Sequence, residues 1–567
     1  MYRGVASFVV VTMMEGYAMK KDPASDALAS LGDFRTYAYG NLAIVLPFLR
    51  KVGLEKLIDD RTRPDPQKEV TPGQVALLLA LSRLNGPVPL YHMEKWVALH
   101  GVDKVLDIQA EKCNDDQMGR GLDAIHEELP DIVLDFATTV IRQFGVDLCQ
   151  LHFDPTLIRF QGEYDADGQQ DDHDDVSREP VRITYGADHG GATDEKVLKA
   201  TLTTSADGSV PLLFGLHSGN AADIQAAAAN LDQLKALFAR TGRPERTVRL
   251  SDKGGNSRKM LADLIKAHMA GIAPGKLNKK LAEQLRANRD AFHEIDYRPE
   301  RQKNNKHFKP YSVWETPGKI KHPETKKPYP VRNIFFYSPG YFEIESGRRE
   351  TQIRKAEEKL GALQKSLRRK NPPPPNKAGA QERIRDILRT KSLRRWVRTR
   401  LESAGRRLTL QFGRNQKAID EDGELDGYGL LQAVGLPKKE YPADRVLPMY
   451  KEQWRSERRN SNFKTPMKVA PLYLNNTGRI EALLFIWFVA VVIDAIIERE
   501  YRRRVRDAKL KKVTTRTLFW MFQYYTLVEF GIAGRFVVKA PSLTAEQAAI
   551  LRSLRLPTPQ QTLQKHG

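Results

Sequence analysis

The run Ala482–Ile497, ALLFIWFVAVVIDAII, constrains this chain more than any other stretch. It holds one charge, Asp494, in 16 residues. A bilayer span needs about 20 nearly uncharged residues, so the run predicts a buried core helix. A helix that is apolar all round needs partners on every side, and that demands a large core. The 567 residues suffice for about three domains. Two cysteines, Cys113 and Cys149, exclude a disulfide framework and a four-thiolate zinc site. They point to a reducing, cytosolic setting. Lys and Arg number 91 against 70 Asp and Glu, for a net charge of +21. Such a surplus selects a polyanion as partner. The apolar stretch from Ala6 to Met14 follows a lone Arg3 and lacks the features of a signal peptide. Neither export nor a membrane partner is expected.

Periodicity divides the chain. From Phe34 to Val146 apolar residues recur at helical spacing, as in Val75, Leu78, Leu79 and Leu81. Such a unit suits either DNA binding through a helix-turn-helix or helical packing. After Val146 the period changes. VDLCQLHF, VLKATLTT and VPLLFGLH read as strands, the last two joined by the hairpin turn Ala206-Asp207-Gly208. An Ala/Leu-rich helix follows from Ala221 to Arg240. A short strand, Thr247 to Leu250, then leads into a helix near Ser257. The order predicts a mixed α/β sheet.

From about Lys276 to Gln432 another unit interrupts it. Residues 348–407 hold 20 Lys and Arg against 6 Asp and Glu, two thirds of the whole surplus. Ile353, Leu360, Leu363 and Leu367 mark one amphipathic helix. Pro372 to Pro375 break it, and Ile384, Ile387, Leu388 and Trp396 mark a second. This basic helical hairpin suits a phosphate backbone.

No P-loop, HExxH, GxSxG or paired CxxC is present. Carboxylates at strand ends remain. Asp154 closes one apolar strand and Asp252 another. Neighbouring strands can bring such groups to one divalent cation, and Mg²⁺ takes hard oxygen ligands while keeping waters. Two ions about 3.5–4 Å apart would clamp a phosphodiester displacement. A third carboxylate lies in YKEQWRSERRNSNFK. Tyr450, Gln453, Glu457 and Lys464 are spaced 3, 4 and 7, so a helix shows all four on one face. That face is poor core and suits a metal ligand flanked by phosphate contacts, with Arg455 and Arg458 adding charge. Asp188 and His189, and the acidic loop Asp165 to Asp175, read as structural or solvated.

These blocks resemble the DDE transposases of bacterial insertion sequences. The resemblance is to the subgroup with a Tyr-x2-Arg-x3-Glu-x6-Lys signature and a β-rich insertion before the glutamate. HFDPT (His152 to Thr156) matches the first aspartate strand, and LSDKGGNS (Leu250 to Ser257) the second. Tyr450, Glu457 and Lys464 fit the third block at its spacing. Gln453 stands where the family has arginine, with Arg455 or Arg458 as candidate replacements. PLYHMEKW, DDQMGRGLDAI, FGLHSGNAAD, DGYGLL and RIEALLFIWF extend the similarity over about residues 40 to 530.

The resemblance implies an α/β, RNase H-like mixed-sheet core. It would be interrupted by a β-strand and helical-hairpin insertion and preceded by an all-α N-terminal domain. The expected divisions are 1–33 unassigned, 34–145 helical and DNA-binding, and 146–275 the first part of the core. The basic insertion follows at 276–432, the second part of the core with the glutamate helix at 433–535, and a C-terminal tail at 536–567. The implied catalytic and metal-binding set is Asp154, Asp252 and Glu457, holding two Mg²⁺ ions, with Mn²⁺ as a substitute. Tyr450, Gln453, Lys464, Arg455 and Arg458 would contact DNA phosphates. The implied partners are double-stranded DNA (terminal inverted repeats and target) and a second copy, at least a dimer in the DNA complex. The implied setting is the bacterial cytoplasm, at the nucleoid. An RNase H-like nuclease without strand transfer, or a decayed transposase that only binds DNA, are the alternatives.

Overall fold

The computed structural model describes residues 34–160, 180–188, 191–242, 246–252, 257–369, 375–452, 474, 476–507, 509–532 and 535–564, less 405–406. Strand β1 (Phe34–Tyr37) precedes a helical block of α1 (Leu42–Val52), α2 (Leu54–Thr62), α3 (Pro72–Leu84), α4 (Met93–His100), α5 (Asp115–Glu127) and α6 (Leu129–Phe144). Capping chemistry sets its limits. Thr71 and Gln74 close a capping box on α3, with Pro72 in the first turn. Asn114 caps α5, and Asp115 and Asp116 lie at the positive end of its dipole. Helices α3 and α5 meet closely at Gly121, where an added Cβ would fall 2.6 Å from Val75 Cγ2. Gly121→Ala is therefore expected to lower stability by about 1–3 kcal/mol through overpacking, as read by urea denaturation.

The central sheet has ten strands among the described residues: β2 (Gln150–Phe160), β3 (Thr184–Asp188), β4 (Gly191–Ser205), β5 (Pro211–Ser218), β6 (Val248–Ser251), β7 (Ala270–Pro274), β8 (His293–Glu294), β9 (Ser312–Lys321), β10 (Pro328–Tyr337) and, later in the chain, β13 (Tyr428–Val434). The path runs β3-β4-β2-β6-β7-β13-β10-β9-β8, and β5 also pairs with β4. Strand β2 is antiparallel to β4 and parallel to β6, and β6 is parallel to β7. Between the strands lie α7 (Asp223–Thr241), α8 (Arg258–Lys266) and α9 (Lys279–Ala287).

Segment 276–432 does more than interrupt this sheet. Strands β8, β9, β10 and β13 continue it beyond β7. Only the stretch between β10 and β13 stands apart. It comprises α10 (Pro339–Leu367), α11 (Lys377–Ile387), α12 (Lys391–Trp396), the hairpin β11 (Val397–Ala404) with β12 (Arg407–Arg414), and α13 (Gln416–Gly423). It has its own apolar core of Ile353, Leu360, Leu363, Trp396 and Leu410. The second half of the expected helical hairpin is two helices, because Thr390 caps a new start at α12.

After β13 come α14 (Ala443–Lys451), α15 (Thr477–Arg504), α16 (Thr515–Trp520), β14 (Leu527–Ile532), β15 (Arg535–Lys539), α17 (Ala545–Leu554) and α18 (Pro559–Leu563). Helix α15 carries the apolar run. It is long and apolar enough to cross a bilayer, yet 94% of its most apolar window is buried inside the fold. Phe488 packs against Phe214 and Phe136, and the Arg83 guanidinium lies 3.9 Å over the Trp487 ring.

Two expectations need correction. The N-terminal block is not wholly helical, because β1 pairs with β14 in a separate three-stranded sheet with β15. Four residues whose partner lies at the far end of the chain leave no periodic signal. The expected C-terminal tail at 536–567 is also, through residue 564, packed structure. Its helices α17 and α18 each open with a Thr–Gln capping box, and Ile550, Leu551, Leu554 and Leu563 are buried in the main core.

Candidate active site

Strand register places the two aspartates. In the parallel pair of β2 and β6, His152 faces Leu250 and Phe153 faces Ser251. One step past this register come Asp154, within β2, and Asp252, just after the end of β6. Alternation sorts their neighbours. Val248 and Leu250 belong to an apolar cluster with Val446 and Leu447 of α14. Asp154 falls on that same face by parity, and Asp252 follows directly after the strand. Phe153, Arg249 and Ser251 face the other way. Asp154 is further fixed by its antiparallel pairing with Leu202 of β4.

The opposite face holds a buried polar ladder that sequence reasoning missed. Arg249 is 1% exposed. Its guanidinium lies 4.2 Å over the Phe153 ring and donates to Asn230 Oδ1 at 3.3 Å. Asn230 in turn donates to Thr203 Oγ1 at 2.7 Å. Burial pulls the Arg249 pKa down to about 9, against the counter-pull of the Asp252 charge. The signal was a lone arginine in an otherwise apolar strand, VRLS. Beyond Asp252, Ser257 caps α8 by accepting from the Met260 amide.

Tyr450 lies in the last turn of α14 and packs, half-buried, on the cluster of Leu250 and Val446. Gln453, Arg455, Glu457, Arg458 and Lys464 lie outside the described residues, as do His189 and the loop 165–175. The chain leaves the described structure at Glu452 and re-enters α15 with Asn476 as its cap. Helix α14 packs on the aspartate face, and so does α15 through Phe488 on Phe214, which shares that face by its pairing with Leu202. The segment with Glu457 is thus bounded at both ends by helices of the aspartate face.

These two carboxylates offer the hard oxygen donors that Mg²⁺ or Mn²⁺ prefers. Among the described residues no group of three or more His, Cys, Asp or Glu gathers elsewhere to compete for such an ion. The donor chemistry of Asp154 and Asp252 therefore fits a divalent cation.

A family model described as "Transposase DDE domain" matches residues 148–493, more than half of the chain. A domain of unknown function, DUF4277, matches residues 35–135, the helical block. No curated protein matches. A cryo-EM structure of a piggyBac transposase synaptic complex with hairpin DNA is similar at 8% identity and a TM-score of 0.36. That match spans 94% of this chain and 87% of the other, and at that score the likeness carries no argument. With both aspartates on the matched stretch, the chain belongs to the DDE transposase family.

Proposed function

We propose that this transposase cleaves DNA at the ends of an insertion sequence and joins the freed ends to target DNA, using Asp154, Asp252 and Glu457 on an RNase H-like core. The observation that carries the proposal is the parallel pairing of β2 and β6, whose register runs up to Phe153 and Ser251, the residues just before Asp154 and Asp252. The strand path β5-β4-β2-β6-β7, with β4 alone antiparallel to its neighbours, supports the RNase H-like assignment. Divalent ions held by such carboxylates lower the pKa of a bound water and offset charge on the reacting phosphate.

The chain's own residues supply the rest. Asp154 and Asp252 hold hard oxygens at fixed spacing because their strands are paired. Arg249 and Phe153 brace the reverse side of those strands. Tyr450 presents a phenol at the end of α14, and Gln453, Arg455, Arg458 and Lys464 add donors for phosphate oxygens beside the scissile bond. Such contacts orient the phosphodiester for in-line attack by water, and later hold the freed 3′-hydroxyl for attack on target DNA. The helical block reads the terminal inverted repeats, and two copies pair the two ends. The protein works in the bacterial cytoplasm on nucleoid DNA.

The test is incubation of purified protein with duplexes taken from the DNA that flanks the coding region. Nicking at the end, followed by joining of pre-cut ends into a plasmid, is expected in Mg²⁺ and absent in EDTA. Hydrolysis without joined product would leave a nuclease. The basic helices between β10 and β13 set a second expectation. With about four to six phosphates neutralised there, affinity for end duplexes should fall about 12- to 40-fold between 100 and 200 mM salt. A flat anisotropy titration across that range would remove these helices from the interface.

A further inference from the structure

The last residue of α14 makes a contact that neither the family match nor the carboxylates account for. The Lys451 ammonium lies 4.4 Å from the ring centroid of Tyr341, 4.7 Å from Phe336 and 5.4 Å from Tyr311. Among the described residues no carboxylate pairs with it. The three rings come from three places in segment 276–432: the residue before β9, the strand β10, and the first turn of α10. A cation surrounded by aromatic faces is attracted by each ring's quadrupole, and more strongly when water is partly excluded. Lys451 is half-buried, and that burial lowers its pKa to about 8.

The location gives the cage its meaning. Lys451 follows Tyr450 directly and is the last residue of α14, before the segment that carries Glu457. Helix α14 is nine residues long and contains Pro448. So short a helix has little stability of its own and depends on tertiary contacts. Its apolar side, Ala443, Val446 and Leu447, rests on the sheet. Met449 and Tyr450 of its final turn rest partly buried on the same cluster, but the helix ends on a charged residue, Lys451. The aromatic cage holds that last residue.

We infer that Lys451 is a positioning residue. By this reading its cation–π clamp on Tyr311, Phe336 and Tyr341 fixes the end of α14, and with it the placement of Tyr450. The inference rests on the proposed DNA-cleavage function for its catalytic consequence, but not for the clamp itself. It also assigns the segment 276–432 a task beyond gripping DNA, which is holding the end of α14, and Tyr450 with it, on the sheet that carries Asp154.

The test compares Lys451→Ala, Lys451→Gln and Lys451→Arg in the full chain, with two readouts. Amide hydrogen exchange over residues 443–452 should speed up by about tenfold or more in the Ala and Gln variants, since local opening then costs less. Arginine also stacks on aromatic faces, so Lys451→Arg should stay within about threefold of wild type. In single-turnover cleavage of an end duplex, the Ala and Gln variants should lose about 10- to 100-fold in kcat with KM changed by less than about threefold, the mark of lost positioning without lost DNA binding. Adding Tyr341→Leu to Lys451→Gln should cost no more than Lys451→Gln alone, because both remove one interaction. Unchanged exchange in Lys451→Gln, or Lys451→Arg as impaired as Lys451→Gln, would overturn the inference. A wild-type protein that cleaves no DNA would sink the proposed function, while the exchange data would still decide the clamp.

Discussion

Asp154→Asn should slow cleavage of an end duplex by about 10³-fold or more, on the order of 4 kcal/mol of lost transition-state stabilisation. Asp252→Asn and Glu457→Gln should do the same. Asparagine keeps the size of aspartate, so the pairing of β2 with β4 and β6 survives and the loss reports charge alone. End-duplex affinity, measured by anisotropy, should stay within about threefold, because binding rests on phosphate contacts elsewhere. The double variant Asp154→Asn/Asp252→Asn should be little worse than either single one, since the carboxylates act as a unit and their effects do not add. Retention of more than about a tenth of wild-type cleavage in Asp252→Asn would remove it from the site. Intact cleavage with lost binding would reassign both aspartates to the DNA interface.

What the sequence revealed followed from local physics. Asp207-Gly208 between alternating runs announced the β4–β5 hairpin, and the pairing of Thr204 with Pro211 closes it. Ser257 announced α8, and the run Ala482–Ile497 announced a core helix. The parallel pairing of β2 and β6, which brings the blocks of Asp154 and Asp252 together, was accessible only through the family resemblance, because it joins segments almost a hundred positions apart. What escaped was non-local. Strand β1 finds its partner at β14, and β13 and β10 extend a sheet begun more than a hundred residues earlier. Arg249 and Lys451 escaped for another reason. A charged residue in a pattern reads as solvent-facing, and only the packed structure shows one over Phe153 and the other among three rings.

A third buried cation carries the largest stability effect. Arg499, in the last third of α15, has a side chain only 2% exposed. It donates to the carbonyls of Phe144 at 2.9 Å and Gly145 at 3.0 Å, the residues that end α6. It also pairs with Asp207 in the β4–β5 turn and with Glu500. Gly208 lets the turn close on the arginine stem: its φ is +76°, and an added Cβ would fall 2.7 Å from Arg499 Cδ. One guanidinium thus ties the helical block, the hairpin and the core helix together. Arg499→Ala should destabilise the fold by about 3–5 kcal/mol, because it removes the ion-pair partner of Asp207 and the donor to the Phe144 and Gly145 carbonyls in a desolvated place. Arg499→Lys should recover only part of this, since a point charge cannot serve four acceptors held in a planar fork. The pH dependence has a definite sign. Burial pushes the Asp207 carboxyl up, but hydrogen bonds from Arg499 and the Asp147 amide outweigh it and hold its pKa below the ordinary 3.8. A depressed native pKa means the folded state binds fewer protons than the unfolded state. The contribution of Asp207 is therefore complete above about pH 4 and disappears as pH falls through the lower native value. Urea melts of wild type and Asp207→Asn should differ most at neutral pH and converge in strong acid. Equal melts at pH 7 would show that the Asp207 link contributes nothing to stability.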